Sequence, residues 1–389
     1  MGGGFLFPLI LKNSWRNRRR TVLTILSIGA SLCILGILMV FYYVFYVAEA
    51  TGDQALRLVV RNRVSLANPM PVSYRQQIAQ IPGVQEVTVL QWFGGTYKDS
   101  RDPANFFARF AAEPDRLFTI YPEYRLPDEQ KKAFQQERQA CILGRKIADR
   151  HGLKLGDRIT LVGDIFSVKL ELVLRGIYES ERDNENLFFH FDYLNESLGG
   201  RGLKDTAFTF VVRCRTLEDV PRVGKVIDDT FRNSTQQTKT ETEKAFEVSF
   251  LSFLGNVKAF LMAISAAVTF TILFVSANTM AMSVRERIRE VGILKTVGFT
   301  PGRILGIIVG ESIVVALMGG ILGVLLAAGL CYLIRQGPST FADVNRFRLQ
   351  PVVIAGCMLS AVFIGLVSSL WPALSASLKS IVEALRYND

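Results

Sequence analysis

Two histidines, five cysteines and a scatter of carboxylates are all this chain offers for covalent or metal chemistry. His151 precedes Gly152 in a turn-forming stretch, and His190 sits in the apolar run Phe188-Phe189-His190-Phe191. Both read as surface or packing residues rather than ligands. Cys33, Cys141, Cys214, Cys331 and Cys357 form neither a CxxC nor a metal-ligand spacing. Cys141 and Cys214 could pair in an oxidising compartment, but sequence fixes neither their distance nor their direction. Glu179, Glu181, Asp183 and Glu185 alternate along one segment. Arg182 interrupts them and no EF-hand pattern is present, so they read as a solvated charge run. There is no HExxH, GxSxG or SxxK, and no Walker A pattern GxxxxGK[ST]. The sequence therefore points to no catalytic residue and no metal site.

Charge chemistry of another kind is concentrated in Ser283–Gly298, SVRERIREVGILKTVG. Arg285, Glu286, Arg287, Arg289 and Glu290 alternate in sign, and Glu286 can pair with Arg285 or Arg289 along a helix. Val284, Ile288 and Val291 follow a helical rhythm that stops at Lys295. The pattern predicts a short amphipathic helix closed by Gly292 or Gly298. Such a helix suits either a membrane surface or a protein partner, and periodicity alone does not separate the two. Further on, Glu311 lies inside an apolar run, where an acidic group costs roughly 2.5–3.5 kcal/mol at the bilayer centre. It reads as a polar contact between helices or as a proton relay.

The elements that must position these residues are membrane helices. Of the 389 residues, 49% are hydrophobic, and the mean hydropathy is +0.26. Four stretches reach the roughly 20 apolar residues needed to cross ~30 Å of hydrocarbon: Thr21–Val47, Ala259–Val284, Ile304–Ile334 and Leu349–Leu378. The first is 27 residues long, against about 7–15 for a signal-peptide core, so it reads as a retained anchor. The third carries Gly306, Gly310, Gly319, Gly320 and Gly323, small residues that permit close helix packing.

The net charge of +10 suggests a nucleic-acid binder until it is divided by region. Residues 48–256 hold 29 basic and 29 acidic residues, and the rest holds 16 and 6. The excess flanks the membrane segments, so no nucleic acid is implied and membrane lipids are the partners it suits. Lys12, Arg16 and Arg18–Arg20 precede the first span; Arg285, Arg287, Arg289, Lys295 and Arg303 lie between the second and third; Lys379 and Arg386 follow the fourth. The positive-inside rule puts all three segments, and both termini, in the cytoplasm. Arg335, Arg346 and Arg348 in the short outer loop oppose that bias without reversing it.

The predicted organisation is a cytoplasmic amphipathic lead-in helix (1–20), span one (21–47), an extracytoplasmic domain (48–256), span two (257–284), a cytoplasmic helix and loop (285–303), span three (304–334), an outer loop (335–348), span four (349–378) and a cytoplasmic tail (379–389). The fold class is a four-helix membrane protein with an extracytoplasmic α+β domain. Within that domain Glu86–Val89, Arg158–Gly163, Phe166–Ile177 and Thr206–Cys214 read as strands, with a turn at Gly163-Asp164. Val220–Phe231 reads as a helix. Thr240–Val257 reads as a helix running without a break into span two, a stalk that would couple domain to membrane.

With these motifs in place, the chain resembles the four-span permeases of the MacB/FtsX/LolC type (type VII) that pair with ATP-binding cassette ATPases. Asn13–Ile28 looks like the family's lead-in and the start of its first span. Leu143-Gly144-Arg145 with Ile147-Ala148, then Leu155-Gly156-Asp157 and a strand pair, resembles its periplasmic core. Arg285–Gly298 matches the family's Arg-Glu-Arg-x-Arg-Glu-x-Gly-Ile-Leu-Lys-x-x-Gly pattern, and Trp371-Pro372-Ala373 through Arg386 its ending. The resemblance implies a non-catalytic subunit in the bacterial inner membrane, working as a homodimer or heterodimer with two copies of a separate ATPase that bind ATP and Mg. It implies a coupling helix at Arg285, Glu286, Arg287, Arg289, Glu290, Gly292, Lys295 and Gly298, with Glu286 and Glu290 against the ATPase. It also implies mechanotransmission: ATP-driven export or extraction of a drug, peptide, lipid or lipoprotein, in many such systems through a periplasmic adaptor. The alternative is an FtsX-like transducer that activates an external cell-wall hydrolase without transport. The large outer domain favours the MacB or LolC side.

Overall fold

The computed structural model describes residues 18–48, 50, 52–99, 101–180, 184–199, 203–253, 256–336 and 347–385. The lead-in helix expected before residue 18, Glu181 and Asp183 of the acidic run, Arg346, and Arg386 lie outside the described residues. The chain divides into two compact units.

The first unit is built from four helices long and apolar enough to cross a membrane: α1 (Arg18–Tyr42, prolonged by a π-helical turn Tyr43–Val47), α2 (Val257–Glu286), α4 (Pro301–Gln336) and α5 (Pro351–Leu378). Between α2 and α4 lies the short α3 (Ile288–Thr296), and after α5 the single-turn α6 (Ile381–Leu385). Lipid offers no hydrophobic drive between helices, so contact rests on close backbone approach. Gly319 and Gly323 of α4 provide it. A Cβ on Gly319 would stand 2.6 Å from Ile28 Cγ2, and one on Gly323 2.8 Å from the carbonyl oxygen of Gly29 on α1. Gly320 meets Ala361 of α5 in the same way. Ile28, Leu32, Ile272, Val315, Ala316 and Ile364 complete the seam. Gly310 is partly buried. Gly306 departs from the expected packing: it is exposed, and a Cβ there would meet nothing within 4 Å.

The second unit is an α+β domain on one ten-stranded mixed sheet, in the order β12-β1-β11-β3-β5-β9-β6-β8-β7-β4. The strands are β1 (Arg57–Asn62), β3 (Val84–Trp92), β4 (Gly95–Tyr97), β5 (Ala108–Ala112), β6 (Ala140–Gly144), β7 (Arg158–Gly163), β8 (Lys169–Tyr178), β9 (Asn186–His190), β11 (Thr209–Cys214) and β12 (Thr238–Thr242). The β5–β9 and β6–β8 pairs are parallel and the others antiparallel. β2 (Met70–Pro71) and β10 (Thr206–Ala207) form a separate small pair.

Period-two alternation sends neighbouring residues to opposite faces. Val60, Ala111, Phe189 and Val212 enter one core, while Val59, Ala112, Phe188 and Val211 enter the other. The first core is closed by the helices Tyr74–Ala79, Arg145–His151, Phe191–Ser197 and Asp219–Thr230, and the second by Pro114–Ile120 and Asp128–Gln136.

Two expectations change here, and one open pairing is decided. The predicted strand Thr206–Cys214 is broken at Phe208, because Thr206–Ala207 pairs with β2 and Thr209–Cys214 with β1 and β3. Thr240–Thr242 is strand, not helix: the β-branched, alternating TKTET of β12 pairs along β1. The helix that follows is Glu243–Phe253, and α2 starts afresh at Val257. Asn256 has left helical geometry, and its side chain accepts from the Ala259 amide at 3.1 Å, an N-cap at the head of α2. Cys141 and Cys214 are both free and buried. Their strands β6 and β11 stand four spacings apart in the sheet, about 19 Å, beyond the ~4.4–6.8 Å of a bridged pair.

Candidate functional site

α2 carries the chain to Glu286, and Arg287 leaves helical geometry at φ −108°, ψ 8°. α3 then begins at Ile288. Val284, Ile288 and Val291 are buried, so the apolar stripe read from the sequence is the inward face. Gly292 is buried inside α3 and does not end it. Gly298 ends it. At φ +95° its amide donates to Lys295 O (3.0 Å) while the Phe299 amide donates to Leu294 O (3.0 Å). These two bonds form a Schellman closure, which glycine accepts without a Cβ clash.

The charged residues separate into two groups. Arg285 and Arg289 are exposed. The others are engaged within the chain, Glu286 with its side chain still 45% exposed. Glu286 does not pair with Arg285 or Arg289: Arg20, at the head of α1, donates to its Oε2 at 2.5 Å and to Ser283 Oγ at 2.7 Å. Arg287 Nη1 donates to Glu311 Oε2 on α4 at 2.7 Å, with side chains 14% and 9% exposed. Lys295 Nζ donates to the carbonyl oxygen of Lys379, beyond the end of α5. The Ser380 amide then donates to Glu383 Oε2 and the Glu383 amide to Ser380 Oγ, a capping box that opens α6 beside α3. Glu290 lines a cleft with Arg287 and Glu311, walled by Met280, Val291, Ile304 and Ile307. The start of α1, the end of α2, α3, the start of α4 and the end of α5 are thus tied together at one end of the helices.

This arrangement can hold and orient the short helix against the longer ones. Among the described residues no group of three or more His, Cys, Asp or Glu could hold a metal ion. In the second unit the histidines serve packing: His151 Nε2 meets Ala104 O at 3.1 Å and His190 Nε2 meets Phe134 O at 2.5 Å. The sequence pattern did not reveal that Arg20, Ser283 and Lys379 join this site. Arg20 and Lys379 lie 266 and 84 residues from their partners, and no local pattern encodes such pairs.

Residues 262–381 match the FtsX-like permease C-terminal family, and residues 21–230 match the MacB-like periplasmic core domain. The chain belongs to the MacB/FtsX family of ABC transporter permeases. An uncharacterized ABC transporter permease of Methanocaldococcus jannaschii is 24% identical to this permease over 98% of the chain and 97% of its own length. The ABC transporter permease YknZ of Bacillus subtilis is 26% identical over 53% of this chain and 50% of its own. The macrolide export ATP-binding/permease protein MacB of Chlorobaculum tepidum is 38% identical over 28% of this chain and 16% of its own. Among solved structures, the periplasmic region of MacB from Actinobacillus actinomycetemcomitans aligns at 9% identity over 50% of this permease and 92% of that chain, with a TM-score of 0.37.

Proposed function

We propose that this permease is the membrane subunit of a MacB-like machine whose motor is a separate ATP-binding cassette ATPase. Two ATPase copies bind ATP and Mg, and two permease chains form the membrane dimer. α3 faces the cytoplasm and docks on the ATPase, and the domain between spans one and two works on cargo on the far side of the cytoplasmic membrane. The carrying observation is the division of charge across the end of α2, the joint at Arg287 and α3. The apolar face of α3, Arg287 and Lys295 are engaged within the chain, Glu286 is bound by Arg20 with its side chain 45% exposed, and Arg285 and Arg289 are exposed. The exposed charges offered to the partner are Arg285, Glu286 and Arg289, and the two arginines suit an acidic cleft.

The test is mild-detergent purification of the tagged chain from its host, with the stoichiometry of co-purifying proteins. An ATPase at one-to-one is expected. Arg285→Glu with Arg289→Glu should lower its recovery by about tenfold, with the permease still monodisperse. A third protein would define the output: an adaptor means export, a cell-wall hydrolase means signalling. No ATPase even after crosslinking would sink the reading.

A further inference from the structure

Glu286 and Arg287 are neighbours at the joint between α2 and α3, yet they are tied to different spans. Glu286 is held by Arg20 at the head of α1. Arg287 is held by Glu311, ten residues along α4 from Pro301 and so about 15 Å from its start. Arg287 is also the one residue between the two helices that is not helical, so the angle of α3 depends on what fixes this side chain.

We propose that the Arg287–Glu311 pair is a strut that holds α3 to span three, and that Glu311 is a positioning residue for coupling rather than a proton relay. This rests on α3 being the ATPase-docking element. Three observations support it. The pair is nearly buried, at 14% and 9% exposure, and the cleft beside it is walled by Met280, Val284, Val291, Ile304 and Ile307. In such surroundings a paired carboxylate is tolerated and a lone one is costly. Next, one Glu311 oxygen accepts from a guanidinium, a group that has donors but no acceptor with which to receive a proton. Lastly, the Arg20 bonds to Glu286 and Ser283 fix the α2 side of the joint to span one. A displacement of α3 is then delivered to spans one and three together.

The experiment uses the permease with its co-purified ATPase in nanodiscs and reads permease-dependent ATP hydrolysis and ATPase retention. Arg287→Gln and Glu311→Gln should each lower hydrolysis by about tenfold. The exchange Arg287→Glu/Glu311→Arg should recover it to within about threefold of the unaltered complex. A relay predicts that the exchange stays as inactive as Glu311→Gln, and that result in a monodisperse complex overturns the strut. Unchanged hydrolysis in both single variants overturns it as well. If the exchange fails to fold, Arg287→Lys decides: partial activity supports the strut, and a loss equal to that of Arg287→Gln overturns it. No ATPase retained by the unaltered chain defeats the docking reading, and the coupling role with it.

Discussion

Arg57 is fully buried at the start of β1. Its Nη2 donates to Glu123 at 2.7 Å and its Nε to Glu243 at 2.5 Å, and the guanidinium lies 4.5 Å from the Tyr121 ring centre. Burial opposes its charge, but Glu243, Tyr121 and Glu123 outweigh burial and raise its pKa. Arg57→Met strands two mostly buried carboxylates and should cost about 3–5 kcal/mol. Adding Glu123→Gln and Glu243→Gln should return most of that, read by urea unfolding in detergent. His190 gives a pH dependence. Burial pushes its pKa below the ordinary value, against the pull of the Phe134 carbonyl. Unfolded histidine titrates near ~6.5, so below that pH the unfolded chain takes up a proton that the folded one refuses. Stability should therefore fall as pH drops from about 7.5 to 5.5, and His190→Gln should flatten that slope. His190 was legible as a packing residue from its Phe-rich neighbours. Arg57 was not, because Glu123 and Glu243 lie 66 and 186 residues away.

Among the elements, α4 separates two kinds of glycine. Gly323→Leu would press on Gly29 and Leu32 of α1 and should destabilise by about 1–3 kcal/mol. Gly306→Leu, on the same helix, should leave the melting temperature unchanged. Equal tolerance at both positions would contradict the α1–α4 seam. The four long apolar helices were legible because length and apolarity are local properties. The α3 helix and its apolar face were legible from periodicity, and the choice of Gly298 over Gly292 was not. A glycine at C′ and a glycine on a buried face look alike until the Phe299–Leu294 bond is seen. Thr240–Thr242 misled for a related reason: its charges suit a helix, and only pairing with β1 makes it strand.

At the scale of the whole molecule, the proposed topology can be mapped by labelling. All five native cysteines are buried, and burial pushes the Cys214 thiol up to about 11. Introduced cysteines should therefore react alone. Val64→Cys, at an 83% exposed position between spans one and two, should react with an impermeant maleimide on intact cells. Val297→Cys, 72% exposed after α3, should react only after the membrane is opened. Reaction of both from outside would overturn the assigned sidedness. The presence of an α+β domain was legible from alternating strands, but the sheet order was not, because strands distant in sequence meet by shape rather than by any local pattern. That order has a mechanical meaning. The domain's first strand, β1, and its last, β12, are antiparallel neighbours, with Leu58 opposite Thr242 and Asn62 opposite Thr238. Chain entrance and chain exit therefore lie at the same end of one ladder. A load that parts them would open the ladder like a zipper, one rung at a time, rather than shearing all its rungs together. The Gln54–Glu247 bond and, behind it, the Arg57–Glu243 pair sit at the mouth of that zipper, and such a load would have to break them before the first rung.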